Sequence, residues 1–278
     1  MTIPRAAPQA PPPDPRPNRS RSVLRGLGEL LITLGLVVLL FVFYEIQVTS
    51  WFSARKQEAA TDELRQRWDR PSGGEQRQRL EPMPGNGFAR LYVPELGPEF
   101  PFTVLEGTDR ESLAAGPGHY ADTALPGQRG NFAVAGHRSG RMAPFAELDE
   151  LRSCAALVVE TRAEWFVYRV LPMRGEAAGW NSSERGPKCS GVAPIGGPYQ
   201  GVRGRTVVEP ARREVINPVP GRAPGTVPEE WRSRLITLTT CHPEYSADER
   251  MIVHGVLTKR YPKVGDRPEL RPPELAEG

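Results

Sequence analysis

The hydrophobic residues of this chain form one long run near the N-terminus and many short runs after residue 87. The long run centres on Leu30–Tyr44, which carries no charge, and its apolar character extends over residues 26–48. Roughly 20 residues of α-helix cross the hydrocarbon core of a bilayer, so this run predicts a transmembrane anchor. A cleaved signal peptide is the alternative, but no small-residue cleavage site follows the run.

The charges on either side of the run predict its orientation. Every charged residue among positions 16–25 is an arginine, whereas the basic residues after the run are mixed with Glu58, Asp62 and Glu63. Positive charge stays on the cytoplasmic side of a membrane. We therefore expect a single-pass protein of the cell membrane whose N-terminus is cytoplasmic and whose catalytic or binding domain is extracellular.

The segments that flank the anchor show no pattern of a folded core. Residues 1–25 are rich in proline and arginine, which predicts a disordered cytoplasmic tail. Residues 49–87 predict a juxtamembrane helix, with Leu64 and Trp68 four positions apart, followed by a linker that contains glycine and proline.

Residues 88–262 consist mainly of short β-branched and aromatic runs bounded by glycine and proline, a pattern typical of strands. Only two segments, 109–116 and 144–152, have a helical pattern. Many short strands with few helices predict a mostly β domain, either a closed barrel or a sandwich. The strand candidates are FARLYVP, EFPFTVL, GNFAVAGH, AALVVET, WFVYRVL, RTVVEP, REVIN, RLITLTTC and RMIVHGVLTKR.

Composition narrows the picture further. The chain holds 30 prolines and 28 glycines among 278 residues, and their combined share is above the usual value of about 12%. Many of them lie in the segments 171–205 and 217–233, which are therefore predicted to be long loops. A net charge of only +3, without a basic stripe, argues against a nucleic-acid partner. Neither a phosphate-cradling glycine motif nor a carboxylate cluster for Ca²⁺ occurs in the sequence, so we expect no cofactor and no metal.

A lone cysteine ends the strand candidate RLITLTTC. Side chains alternate along a strand, so Ile236 and Leu238 face the core while Cys241 lies on the opposite, more polar face. The polar loop HPEYSADE returns the chain and brings Arg250 beside Cys241. A thiolate is the reactive form of cysteine, and a guanidinium stabilises it or an oxyanion. On these two residues alone, a structural cysteine and an unrelated surface arginine are an equal alternative.

Four histidines are candidates for a general acid or base. His137 ends a strand candidate, a placement typical of site residues. His242 is adjacent to Cys241 and points to the opposite face, which makes it a poor base for that thiol. His254 alternates with apolar residues and is expected in the core, and the role of His119 stays open.

Together these motifs resemble those of the sortases, and most closely the class E sortases of actinobacteria. The resemblance covers residues 88–262, and the His and Cys motifs are specific as a pair. Its segments, in chain order, are GPGHYADTALPGQRGNFAVAGHRS (116–139), ETRAEWFVYRV (160–170), VINPVP (215–220) and ITLTTCHPEYSADERMIVHGVL (236–257).

The resemblance implies an eight-stranded sortase-type β-barrel with a few short helices, preceded by one transmembrane helix. It implies that Cys241 is the nucleophile, His137 the general acid and base, and Arg250 the oxyanion stabiliser. Tyr120 aligns with a tyrosine typical of class E that shapes the substrate site, although a packed aromatic residue is an equal alternative. Thr239 and Thr240 contact the substrate or serve as ordinary strand formers.

The reaction of the family implies the partners. The thiolate attacks the Thr carbonyl of a C-terminal LAxTG- or LPxTG-like sorting signal on a surface protein, and class E prefers LAxTG. A peptidoglycan precursor amine, that of lipid II, then resolves the thioester. Two alternatives are an L,D-transpeptidase, in which His and Cys share one compact motif, and a non-catalytic membrane-anchored binding module on a sortase-like barrel.

Two further segments stand apart from the resemblance. The loop 171–205 is longer than in typical relatives, and its Cys189 has a possible disulfide mate in Cys154. This pairing suits an extracellular domain and leaves Cys241 free, as the mechanism requires. Residues 263–278 predict a disordered tail.

Overall fold

The chain divides into two compact units, Met1–Thr49 and Ser50–Gly278. The predicted N-terminal tail up to residue 18 and most of the predicted linker lie outside the residues that the structure describes. The computed structural model describes residues 19–70, 80–97, 101–140, 143–263 and 271–278.

One long helix, α1 (Arg19–Asp69), begins in the first unit. Within the described residues, only its segment Val23–Tyr44 is long and apolar enough to cross a membrane. At 1.5 Å per residue this segment is about 33 Å long, which matches a hydrocarbon core of about 30 Å. The prediction of disorder is wrong for residues 19–25, because no proline lies between Pro17 and Pro71 and the helix continues through the arginine-rich turn.

Among the residues that the structure describes, the second unit contains nine strands and one short α-helix in addition to the C-terminal part of α1. The strands form one sheet in the order β6-β5-β1-β2-β3-β4-β8-β9, and pairing of β6 with β9 closes it into a barrel. β7 is a ninth strand that pairs with β9 beyond the end of β6, so the prediction of an eight-stranded barrel is confirmed. The elements are β1 (Gly87–Tyr92), β2 (Pro101–Glu106), α2 (Arg110–Ala115), β3 (Gly118–His119), β4 (Gly130–Ala135), β5 (Ala156–Glu160), β6 (Glu164–Val170), β7 (Arg205–Val208), β8 (Arg234–His242) and β9 (Glu249–Pro262).

Two predicted elements differ from the structure. Arg213–Ile216, within the predicted strand REVIN, is a 3₁₀-helix, because the carbonyls here bond to a side chain of the barrel instead of a neighbouring strand. The predicted helix over 144–152 contains only the 3₁₀ turn Leu148–Glu150. The other predicted helix, 109–116, corresponds to α2, which Asp109 caps by accepting hydrogen bonds from two backbone N–H groups.

The C-terminal part of α1 packs against the barrel within the second unit. Leu64 is buried, and Gln57 forms hydrogen bonds with the backbone N–H and carbonyl of Thr103 and with the carbonyl of Ala115. Gly116 lies so close to the Gln57 amide that a Cβ at this position would be 2.1 Å from Nε2. The predicted juxtamembrane helix is therefore a continuation of α1 that is fastened to the barrel.

The C-terminal residues 271–278 also pack against the barrel. Arg169, a buried side chain of β6, forms a bidentate ion pair with Glu277, and Glu274 is buried beside it. The prediction of a disordered tail is wrong for this segment, while residues 264–270 lie outside the described part. A buried guanidinium needs a carboxylate partner, and that demand is not visible in the composition of the tail.

The long loop 171–205 has a small apolar cluster of its own. A disulfide joins Cys189 to Cys154, and both residues pack with the buried Val192. The indole N–H of Trp180 donates to the carbonyl of Val192 at 2.8 Å. Because this cluster includes Cys154 just before β5, it fastens the loop to the barrel.

Candidate active site

Cys241 lies near the end of β8 and is partly exposed. Its partner across the β8–β9 ladder is Arg250, and directly opposed residues of antiparallel strands have Cβ atoms about 4.5–5.5 Å apart. The other two of the three cysteines are joined in the disulfide, so Cys241 is the free thiol of the chain. The hairpin thus brings a thiol and a guanidinium side chain to one rim of the barrel.

His137 follows β4, the strand that runs parallel to β8 on its other side. Ala135 is opposite Thr239, and the N–H of Gly136 donates to the Thr239 carbonyl at 3.0 Å. The parallel register therefore continues past the end of β4, and two further residues along each chain it sets His137 beside Cys241. The His137 side chain is exposed, so it is accessible to a substrate.

Thr240 connects the same two segments. Its side chain is buried, and its hydroxyl donates to the carbonyl of Gly136 at 2.8 Å. The bond fastens β8 to the backbone immediately before His137. The hydroxyl of Thr240 is thus bonded to the backbone, whereas that of Thr239 is bonded to a side-chain hydroxyl, that of Tyr120.

Arg250 lies at the start of β9, half-buried. Its guanidinium donates to the carbonyls of Ala247 and Glu249, at 3.0 and 2.9 Å. Ala247 belongs to the connection between β8 and β9 and Glu249 is the first residue of β9, so these carbonyls hold the guanidinium at the rim. Because they are uncharged, they do not cancel its positive charge.

A pocket of about 520 Å³ opens beside these strand ends. Tyr120 and Thr239 line it together with Ile252 and Arg250, and the Tyr120 hydroxyl is 3.0 Å from that of Thr239. The 3₁₀-helix 213–216 forms another part of its wall. The pocket is large enough for several residues of an extended peptide, and hydroxyl groups lie on its floor.

A buried polar network holds the wall of this pocket. The Thr237 hydroxyl donates to Oδ1 of Asn131 at 2.6 Å and accepts a hydrogen bond from Nδ1 of His254 at 2.8 Å. The amide nitrogen of Asn131 then donates to the carbonyls of Val215 and Asn217, at 3.3 and 3.2 Å. Burial lowers the pKa of His254 to about 4, so this ring is neutral, as its predicted place in the core requires.

His119, whose role the sequence left open, is a structural residue behind Tyr120. Its Nδ1 donates to the Glu106 carboxylate at 2.7 Å, and its ring packs against those of Phe88 and Phe132. The side chain is buried, so it does not reach the pocket. Both this histidine and His254 are therefore buried structural residues.

Arg138 is a further residue at this rim, and the sequence motifs do not predict it. The guanidinium of this buried residue donates to Nδ1 of His242 and forms an ion pair with Asp149 at 3.0 Å. Arg138 follows His137 just as His242 follows Cys241, so the pair can be identified only once β4 and β8 are known to be parallel neighbours. Among the described residues, no group of three or more His, Cys, Asp or Glu side chains could hold a metal ion.

Fold and site together define a β-barrel protein with a candidate centre for cysteine-dependent acyl transfer. The model of the sortase domain matches residues 91–258. Two similar proteins of Streptomyces coelicolor are sortase SrtE1, 31% identical over 91% of this chain and 62% of its own length, and sortase SrtE2, 31% identical over 91% and 89%. The chain thus spans under two thirds of the length of SrtE1.

Solved structures give the same result. The SrtF sortase from Corynebacterium diphtheriae is 43% identical, with a TM-score of 0.62 over 72% of this chain and 97% of that one. The SrtA sortase from Actinomyces oris is 30% identical, with a TM-score of 0.51 over 70% and 89%. The chain belongs to the sortase family of cysteine transpeptidases, and its similarity to the two Streptomyces proteins assigns it to class E, as the sequence motifs predict.

Proposed function

We propose that this chain is a membrane-anchored transpeptidase that cleaves an LAxTG- or LPxTG-like sorting signal between Thr and Gly and transfers the protein to a peptidoglycan amine. One observation carries the proposal: Cys241 on β8, Arg250 opposite it on β9 and His137 beyond β4 meet at one rim. Membership in the sortase family supports the reaction class.

Cys241 and His137 have the chemistry for the two covalent steps. The thiolate attacks the Thr carbonyl, and the tetrahedral intermediate collapses to a thioester as the Gly amine departs. His137, as an imidazolium, gives its proton to that amine. As a neutral imidazole it then takes a proton from the incoming amine, which attacks the thioester and releases the thiolate.

Arg250 stabilises the oxyanion of each tetrahedral intermediate. A guanidinium keeps its charge at every working pH, so it stabilises negative charge without exchanging a proton. Its present acceptors, the carbonyls of Ala247 and Glu249, are neutral and are replaced by the stronger oxyanion acceptor during reaction. A preorganised donor of this kind contributes about 3–4 kcal/mol to transition-state stabilisation.

The sorting signal occupies the pocket beside Arg250. The hydroxyls of Tyr120 and Thr239 are available to its backbone groups, since each can give up the bond to the other. Thr240 supports the site through its bond to Gly136 without touching the peptide. This division of roles between adjacent threonines distinguishes a substrate contact from a supporting one.

The partners and the location follow from the two ends of the reaction. The apolar segment Val23–Tyr44 anchors the chain in the cell membrane, and the arginines before it keep the N-terminus cytoplasmic. The barrel is then extracellular, where its disulfide persists. There it meets surface proteins with C-terminal sorting signals and the amine of lipid II.

A peptide assay tests this proposal. Fluorogenic LAxTG and LPxTG peptides are incubated with the protein, with and without an amine acceptor, and the products are identified by mass spectrometry. We expect cleavage after Thr and an amine adduct, both lost in Cys241→Ala and His137→Ala. Activity that survives in Cys241→Ala would overturn the mechanism, and binding of the peptides without cleavage by the intact protein would favour the non-catalytic binding module.

A further inference from the structure

Two residues that the mechanism above does not use lie directly behind the catalytic pair. His137 and Arg138 follow β4, while Cys241 and His242 end β8, the parallel neighbour of β4. Neighbouring residues on extended chains point to opposite faces. His137 and Cys241 therefore lie on the outer face of the β4–β8 pair, and Arg138 and His242 lie on its opposite face.

The contacts of Arg138 join three separate parts of the chain. Its guanidinium donates to Nδ1 of His242 and, through Nη2, to the Asp149 carboxylate at 3.0 Å. Asp149 belongs to the 3₁₀ turn Leu148–Glu150, whose Leu148 is buried in the main core. Arg138 itself is 7% exposed, so its position is fixed by packing as well as by charge.

The direction of these bonds defines the state of His242. A guanidinium has five N–H donors and no acceptor, so Nδ1 of His242 must contribute its lone pair. The imidazole is then neutral, with its proton on Nε2.

We propose that Arg138 and His242 are positioning residues that set the distance between the Cys241 thiol and the His137 imidazole. This inference rests on the transpeptidase function proposed above. Two other bonds join the strand ends here, from Gly136 N–H to Thr239 and from Thr240 to Gly136, and both precede His137. Beyond His137, the Arg138–His242 bond joins the segment after β4 to the end of β8.

The expected effect is on the chemical step. Neither Arg138 nor His242 lines the pocket assigned to the sorting signal, so their loss leaves peptide binding intact. Misplacement of a catalytic group by about 1 Å costs about 100-fold in rate. We therefore expect Arg138→Leu and His242→Leu each to lower kcat by about 10- to 100-fold, with KM changed less than about twofold.

The test combines variants that remove the bond with variants that keep it. Asn at position 242 presents Oδ1 near the place of Nδ1, so His242→Asn should recover most of the activity, whereas His242→Leu should not. The double variant Arg138→Leu/His242→Leu should lose no more kcat than the stronger single variant, because both substitutions break the same Arg138–His242 bond. Arg185→Leu is the matched control, since Arg185 pairs with a carboxylate, that of Glu176, in the loop 171–205.

Two readouts separate this inference from the function on which it rests. Peptide kinetics give kcat and KM, and the rate of alkylation by iodoacetamide reports the reactivity of Cys241, the free thiol. A peptide activity that persists in Cys241→Ala refutes the transpeptidase mechanism and with it this inference. In an active enzyme, wild-type kcat in His242→Leu, a loss confined to KM, additive losses in the double variant, or a fall in kcat explained by unfolding in circular dichroism would each refute the positioning role alone.

Discussion

The middle and the end of β8 carry similar residues in opposite situations. In the middle, Thr237 is fully buried, and its hydroxyl donates a hydrogen bond to Asn131 and accepts one from His254. At the end, Cys241 is partly exposed, and of its neighbours Arg250 is half-buried and His137 is exposed. The histidine beside a hydroxyl in the middle of the strand is structural, whereas the histidine near the thiol at its end is exposed and available for chemistry. The difference is access to substrate.

The largest effect should come from the exposed end. Arg250→Ala should lower kcat for sorting-signal peptides by about 100- to 1000-fold, or about 3–4 kcal/mol in activation free energy, because it removes the donor for the oxyanion. The melting temperature should stay close to that of the wild type, since the guanidinium bonds to two backbone carbonyls at the rim and not to a buried side chain. Stopped assays with LAxTG peptides measure the first quantity and circular dichroism the second. A variant that retains full kcat would remove Arg250 from the mechanism.

Acid should act on the buried middle of the strand. The pKa of His254 is about 4 in the folded protein and about 6.5 when unfolded, so the unfolded state binds more protons between these values. The contribution is fully present above pH 6.5 and is lost as the pH falls toward 4, by about 3 kcal/mol in total. Urea unfolding from pH 7 to 4 should therefore be less pH-dependent in His254→Leu than in the wild type. Equal slopes would contradict a buried neutral His254.

Asn131→Ala should weaken both regions, and the fold more than the chemistry. It deprives the carbonyls of Val215 and Asn217 of their donor and Thr237 of its acceptor, so we expect a loss of about 2–3 kcal/mol in the free energy of unfolding. Because Arg213, Val215 and Ile216 line the pocket proposed for the sorting signal, KM should also rise while kcat changes little. Urea titration and peptide kinetics measure the two effects.

A matched control exists for that variant. Asn217→Ala removes an exposed amide that donates only to the Arg222 carbonyl, and it should cost about 0.5 kcal/mol or less. If the two alanine variants had the same stability, the buried network would not support the pocket wall.

The smallest effect concerns Thr239, which lies between the two regions. Tyr120→Phe removes the hydroxyl that bonds to Thr239, so we expect kcat/KM for LAxTG peptides to fall about 5- to 10-fold, near 1 kcal/mol. Most of the change should appear in KM, because the ring still packs in place. Unchanged kinetics would mean that Tyr120 is a packed aromatic residue without a role in substrate binding.

Prediction from sequence succeeded where local alternation and a short hairpin decided the geometry. Cys241 and Arg250 are nine positions apart, and the turn between them makes them partners in a hairpin. The inward direction of Ile236 and Leu238 follows from strand alternation. The pairing of Arg138 with His242 depends instead on β4 and β8 being parallel neighbours. No local pattern reveals that adjacency, so this contact was missed.

The same limit explains the errors at the two ends of the chain. Residues 271–278 are polar and proline-rich, but Arg169, about a hundred positions earlier in the sequence, is buried and binds Glu277. The C-terminal part of α1 likewise follows from the fit of Gln57 against Thr103 and Gly116. In each case the decisive partner is distant in sequence, and composition describes only the segment itself.

The docking of α1 determines where this protein can be shortened for expression in soluble form. A boundary placed after residue 70 would strip the barrel of Leu64, exposing the apolar surface beneath it, and would leave the backbone N–H of Thr103 without the Gln57 acceptor. A boundary near residue 50 removes the apolar segment Val23–Tyr44 and keeps Leu64 and Gln57 against the barrel. The C-terminal part of α1 thus belongs to the same folded unit as the barrel, and its Gln57 side chain contacts β2 directly at Thr103.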